Sequence, residues 1–500
     1  MSVGRAPLAL LAGLLLGPPA SADAPPGLAF LEYLAGHGID TVRDVAVDAD
    51  GNLVATGGTA SPDFPTTAGA YDTTFNGWHD VWIAKLDPAG NLLWSTFLGG
   101  PEYDRAYAIE IDSHGDVVVA GRAGSGFPTT AGVVQPAFGG DLHPNSLYGK
   151  QDGFVAKLSG DGHRLLFATY LGGPDDGILR DLALDAADEI YVGGGAREPH
   201  PLVPADALQP KLAGGSDGFL AKLSPDGRTL RYATYVGGEG DEVGQPSVRV
   251  DRSGRLHALF VTRSSHAPTT PGALRARPAG GDEFYLVRLS PDGRRLEVAT
   301  YLGGSRNEAF ETHNLALAPD GDFLVAATTS SPDFPVSPGA AQPRFGGGVT
   351  PYGGDGVIAR VSADGTRLVA ATYLGGTGDE SLEGVALTAE GDVVATGATA
   401  SPEAWCCGAG GAGRGHDALL VQLDGALSKL RFALRIGGAR DDSARASALD
   451  GHGSVYFGGM SESLDLPVLG ARPGRALGEL DAFVGRARLA PPAAPASPAR

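Results

Sequence analysis

A chain that repeats one short all-strand unit many times has few architectures open to it, and this chain repeats such a unit seven times. One cassette ends in aromatic-Leu-Gly-Gly or a variant of it. Its copies are Tyr33-Leu34-Ala35-Gly36, Phe97-Leu98-Gly99-Gly100, Tyr170-Leu171-Gly172-Gly173, Tyr235-Val236-Gly237-Gly238, Tyr301-Leu302-Gly303-Gly304, Tyr373-Leu374-Gly375-Gly376 and Arg435-Ile436-Gly437-Gly438. A second cassette opens with Asp and continues as an apolar strand, starting at Asp80, Asp152, Asp217, Asp282, Asp355, Asp417 and Asp481. A third is a hairpin with apolar residues alternating on both arms. It turns at Gly51, Gly115, Asp188, Gly254, Gly321, Gly391 and Gly453. Glycine supplies the positive φ that a tight hairpin needs, and Asp tolerates it next best.

Each unit of roughly 65 residues thus holds four short strands, A and B from the hairpin, C from the Asp cassette and D from the Gly-Gly cassette. Seven such units predict an all-β fold, a seven-bladed β-propeller of four-stranded antiparallel blades. The chain opens with a lone D strand, Leu28 to Leu34, and its last unit ends near Leu489 after A, B and C. The N-terminal strand is therefore expected to complete the last blade and close the ring over residues 28–489. Along strand A, one face reads bulky (Val45, Ile109, Leu182, Val248, Leu315, Val385) and the other small (Ala46, Ala183, Ala316, Ala386, Ala448). That match suits blades stacked at a crowded centre. Glu110 and Arg249 break it.

Composition narrows the function classes. The formal charge is −20 and the pI about 4.9, which argues against a nucleic-acid partner, since phosphate binding wants a basic face. Residues 1–22 read as an export signal: Arg5, an apolar run from Leu8 to Leu16, and Ala20-Ser21-Ala22 before Asp23. No later run is long enough to span a bilayer. Residues 490–500, rich in Pro and Ala, read as a disordered tail.

The cassettes resemble the SBBP repeat, a propeller repeat of secreted and cell-surface bacterial and archaeal proteins. The matching pieces are Asp152-Gly153-Phe154-Val155-Ala156-Lys157-Leu158, Ala299-Thr300-Tyr301-Leu302-Gly303-Gly304 and Ser61-Pro62-Asp63-Phe64-Pro65-Thr66-Thr67. The resemblance implies a propeller and export to the periplasm or cell surface. It carries no shared catalytic residues.

Strand polarity puts the long B–C loops and the D–A loops on one face, the natural place for binding. The D–A loops carry Asp40, Asp104, Asp176, Asp241, Asp379 and Asp441, with Asn307 in the fifth unit. These are expected to cap their own turns; a cation site at the axis is the competing reading. Near the start of strand A sits a position that varies as Arg43, Tyr107, Arg180, Pro246, His313, Glu383 and Arg445. Packing alone would hold it constant. Arg43, Tyr107, Arg180, His313, Glu383 and Arg445 are therefore candidate ligand-binding residues at a central funnel, suited to a carboxylate, phosphate or sugar acid. Arg–Asp pairing at the strand ends is the alternative. Cys406 and Cys407 are a candidate vicinal disulfide, with free thiols as the other possibility. Asp48-Ala49-Asp50-Gly51-Asn52 hints at a calcium loop but coincides with an ordinary hairpin turn. No metal, cofactor or catalytic-residue motif stands out. Three functions remain: an extracytoplasmic binding or scaffold propeller, expected as a monomer, that meets a protein or glycan partner; a polysaccharide-acting lyase or hydrolase using the funnel; and a purely structural surface repeat.

Overall fold

The alternation of short apolar runs and turn glycines builds strands throughout the computed structural model, which describes residues 27–140, 148–174, 177–243, 246–348, 353–402, 415–470 and 476–491. The strands form seven antiparallel blades in the order A-B-C-D, a seven-bladed β-propeller. Blade 1, for example, comprises Asp40–Val47, Leu53–Thr59, Asp80–Leu86 and Leu92–Leu98. Among the described residues no helix is long and apolar enough to cross a membrane. The A–B hairpins turn as expected. Gly51, Gly115, Gly254, Gly321, Gly391 and Gly453 take φ between 74° and 88°, and Asp188 takes 58°.

The ring closes by strand exchange. Leu28–Tyr33 pairs antiparallel with Asp481–Arg488 and so supplies the D strand of blade 7. Phe30 and Leu31 are fully buried there, Phe30 beside the strands of blade 1 and Leu31 in the core between blades 6 and 7. Leu31 also exchanges backbone hydrogen bonds with Leu469 in both directions.

The small and bulky faces of strand A meet between consecutive blades. Ala46 packs with Ile109, Ala108 with Leu182, Ala316 with Val385, and Ala446 with Val45. Several A strands are also tied to the next near the axis. Asp44 accepts a hydrogen bond from the Ile109 amide at 2.8 Å, Asp181 from the Val248 amide at 2.9 Å, and Ser247 from the Leu315 amide at 3.3 Å.

The Gly-Gly cassette and the acid that opens strand C are one device. A Cβ on the first glycine would lie 2.5 Å from Asp80 at Gly99, 2.2 Å from Asp152 at Gly172 and 2.7 Å from Asp217 at Gly237. Only a bare backbone lets the C-strand carboxylate seat there. That carboxylate then accepts amides of its own loop, as Asp80 does from Asn76 and Asp217 from Ala213 and Gly214. In blade 4 the acid in this place is Glu283, paired across from Thr262, and not the expected Asp282. The longer Glu side chain reaches the Ala279 and Gly280 amides, while Asp282 pairs instead with Arg263 at 2.9 Å.

A second acid meets the first. Four residues after the second glycine come Asp40, Asp104, Glu242, Glu308, Glu380 and Asp442, each accepting the amide of that glycine. Most also accept Ser or Thr hydroxyls from the end of strand B, such as Thr262 and Ser264 on Glu242. The turn-capping expectation therefore holds for Asp40 and Asp104. In blades 4 to 7 the cap is the next residue, not Asn307, Asp241, Asp379 or Asp441. Asp176 lies outside the described residues.

These carboxyls are hidden from water, which disfavours their charged form. Burial raises Asp40 to about 6, Asp80 to about 7, and Glu242 and Glu308 to about 8. Two tests follow. Leu31→Ala should cost about 2–5 kcal/mol in chemical denaturation, and removal of residues 28–36 should abolish the cooperative melt. The native state holds more protons than the unfolded chain between the ordinary carboxylate range and pH 8, so stability falls as pH rises through that window. The melting temperature should be higher at pH 6 than at pH 8.5, and Glu308→Gln should flatten the slope.

Candidate functional site

The variable position in strand A is the extra residue of a β-bulge. The pairing register of A with B slips between Val42 and Asp44, Ala106 and Ala108, Leu179 and Asp181, Leu382 and Gly384, and Ala444 and Ala446. The skipped residues are Arg43, Tyr107, Arg180, Glu383 and Arg445. A bulge leaves one residue out of the ladder and re-aims its side chain, here toward the axis. Blade 5 does this more severely. Its strand A is split into Glu308–Ala309 and Leu315–Leu317, and His313 between them takes a φ of 58°.

The bulges bring Arg43, Tyr107, Arg180, Glu383 and Arg445 together around one ring. Tyr107 is 1% exposed. The Arg180 guanidinium lies 4.0 Å from its ring centroid, Arg43 5.4 Å and Arg122 5.5 Å. Arg122 also stacks on Tyr148 at 3.9 Å and on Tyr103 at 4.9 Å, and Arg105 faces Tyr103 at 5.4 Å. Two acids answer part of this charge. Arg445 pairs with Glu383 at 2.6 Å, and Glu311 lies 3.5 Å from both Arg43 and Arg445. Among the described residues no carboxylate lies within ion-pair distance of Arg105, Arg122 or Arg180.

The same crowding governs which groups carry charge. Burial pulls the Arg43 guanidinium down, Arg105 and Arg445 add to it, and it falls to about 10. Arg180 is lowered too, chiefly by burial. Burial alone would raise the Tyr107 phenol, but Arg180, Arg105, Arg122 and Arg43 outweigh it and bring it down to about 7. The mouth is thus a pocket of excess positive charge in a strongly acidic chain.

His313 does not join that cluster. Its side chain crosses the axis beneath it, 4% exposed. Nδ1 lies 3.3 Å from Asp181, and Nε2 donates to the Tyr107 carbonyl at 2.9 Å with Asp44 at 3.7 Å. Burial opposes its charge, yet Asp44 and Asp181 prevail and push it up to about 9. His313 is therefore an imidazolium that floors the mouth. Beyond it lies a chamber of about 360 Å³ lined by strand-A residues, including Glu110, Arg249, Ala316 and Ala448. The two residues that break the small-face pattern do so because they face this space. Arg249 reaches Asp181 at 2.8 Å, and burial raises Glu110 to about 7.

Sequence reasoning missed Arg105, Arg122, Glu311, Tyr103 and Tyr148. A signal existed for Arg122: it stands in strand B where blade 1 has Gly58, so a large cation replaces a small residue. Pro246 is the blade 4 counterpart of the bulged residues and brings no charge. Cys406 and Cys407 lie outside the described residues. Asp48, of the calcium-like turn, is taken up by Lys85 at 2.7 Å and by its own hairpin amides. A group with ligand-type spacing, Asp112, His114 and Asp188, occurs at the A–B turns on the opposite face. Lys157 lies 2.6 Å from Asp112 there, and the Ser113 hydroxyl donates to Asp188 at 2.6 Å.

No protein-family model matches the chain. A regulatory protein of Caulobacter vibrioides, FlaEY, is 26% identical over 494 residues, covering 90% of this chain and 44% of its own length. The chain thus spans less than half of that relative. Among solved structures, a Dyadobacter fermentans protein of unknown function is 11% identical with a TM-score of 0.46, covering 93% of this chain and 100% of its own. A quinohemoprotein alcohol dehydrogenase of Comamonas testosteroni is 12% identical with a TM-score of 0.43, over 93% of this chain and 77% of its own.

Proposed function

We propose that this protein is a binding propeller acting outside the cytoplasm, of the SBBP-repeat kind, whose channel mouth holds an anionic group of a protein or glycan partner. One observation carries the reading: Arg105, Arg122 and Arg180 gather around Tyr107 with, among the described residues, no carboxylate within ion-pair distance. Buried cations normally have a partner, because an unpaired one keeps the whole desolvation cost. A bound carboxylate, sulfate or phosphate group supplies that partner through charge-assisted hydrogen bonds. The long B–C loops surround the mouth and give a partner its wider contact surface. The leader-like residues 1–22 support a place in the periplasm or at the cell surface. That a regulatory protein is among the relatives is in keeping with recognition rather than turnover.

Calorimetry at low salt with citrate and sulfate as probes tests this. Arg180→Gln removes one charge-assisted contact worth about 1.5–3 kcal/mol, which weakens binding roughly 10- to 100-fold. Absence of binding by any small anion contradicts the proposal. Tyr107 sets a pH dependence with a defined sign. A phenolate repels the anion, so affinity falls as pH rises through about 7, and Tyr107→Phe makes the profile flat.

A second reading, a polysaccharide-acting lyase or hydrolase in the funnel, is favoured by that same phenol, which is poised for proton transfer near neutrality. Tyr107→Phe separates the two. The enzyme loses turnover of an acidic polysaccharide, while the binder retains its ligand.

A further inference from the structure

The arginine mouth does not end at the axis. It continues outward along an aromatic track between blades 1 and 2. Arg122 stacks on Tyr103 and Tyr148, whose rings are 4.9 Å apart. Tyr103 is buried and stacks on the His79 imidazole at 4.4 Å. On the outer side of Tyr103, edge-on at 5.8 Å, stands the indole of Trp78. Trp78 is 51% exposed, on the same face as the long loops.

About half of the indole surface is left to water by its contact with Tyr103. Gly149, at a φ of 70°, passes beside its six-membered ring and keeps that flank low. The result is a flat apolar platform open on one side, with guanidiniums at its inner end. The ligand that fits both ends is flat-faced and apolar on one side, hydroxylated on the other, and carries an isolated negative charge. A sugar ring with a carboxylate meets all three requirements: its C–H face lies on the indole, its hydroxyls face water, and its carboxylate takes the planar guanidinium fork.

The charge distribution separates this ligand from a nucleic acid. A polyphosphate presents a negative charge at every step along its length. The chain as a whole carries a net charge of −20, which disfavours such a ligand away from the mouth. A short saccharide with one or two acidic groups needs no more positive surface than is present.

We infer that the channel mouth and Trp78 together form a subsite for an acidic saccharide, with uronate carboxylate on Arg180, beside the buried Arg122, and an adjoining sugar ring on Trp78. This inference rests on the anion reading above and adds the ligand class.

The test uses the full chain and four probes: a uronate trisaccharide, a neutral trisaccharide of the same linkage, citrate, and AMP. The uronate trisaccharide should bind, and the neutral one should bind at least about tenfold more weakly. Trp78→Ala should weaken the uronate trisaccharide about tenfold while leaving citrate unchanged, and Arg180→Gln should weaken both. Unchanged circular dichroism and melting temperature in Trp78→Ala keep the comparison valid, since an exposed side chain is not part of the core. Three results overturn the inference: equal binding of neutral and acidic sugars, no effect of Trp78→Ala on the trisaccharide, or tighter binding of AMP than of the trisaccharide. Citrate binding without the trisaccharide refutes the saccharide and leaves the anion site standing. Failure of both citrate and the trisaccharide refutes the anion site itself.

Discussion

The pairing of Leu28–Tyr33 with Asp481–Arg488 is the contact on which everything else depends. It joins the two ends of the described fold across the whole length of the sequence. Without it blade 7 has three strands, and the face that packs Phe30 and Leu31 is open to water. The mouth at the axis draws its side chains from blades 1, 2, 3, 5, 6 and 7. It therefore exists only in a closed ring. Inter-blade hydrogen bonds such as Asp181 to Val248 then set the spacing of the innermost strands. The closure is not a decoration on the site but the condition for it.

Repetition and departure from repetition do different work in this chain. The repeated residues build blades. A first glycine without a Cβ admits the C-strand acid, a second acid caps the following turn, and Ser or Thr hydroxyls complete the set. None of these residues lies at the mouth. The departures do: Tyr107 where other blades have Arg, Glu, His or Pro, Arg122 where blade 1 has Gly58, His313 at a positive φ. The β-bulge makes this division of labour possible. It takes one residue out of the ladder in five of the seven A strands, so that residue is free of pairing rules and can vary.

The sequence made the architecture legible because its signals are backbone signals. Turn glycines, alternation along the hairpins and the order of the cassettes state blade number, strand order and closure. The Asp188 turn was legible by the same logic. Caps were harder. The cap in blade 4 is Glu242 rather than Asp241, and the C-strand acid is Glu283 rather than Asp282. In both places a longer side chain does the work of Asp, and residue type alone pointed to the wrong neighbour. The mouth was half legible. Variation marked Arg43, Tyr107, Arg180, Glu383 and Arg445, because a bulge sits at a fixed place in the repeat. It could not show that His313 turns under them to pair with Asp44 and Asp181. Nor could it show that Glu311, from the split strand of blade 5, would reach Arg43 and Arg445. Those contacts cross the axis between blades far apart in sequence, and only the closed ring defines them.

The mouth is a site of unbalanced positive charge centred on Tyr107. The most direct measurement is an NMR titration of the tyrosine ring carbons at low salt, with Tyr107→Phe to assign the resonance. The account predicts one tyrosine, absent from the variant, that ionises near pH 7. It also predicts that citrate moves this ionisation upward. A Tyr107 that ionises at or above the ordinary phenol value of about 10, and does not respond to citrate, would contradict it.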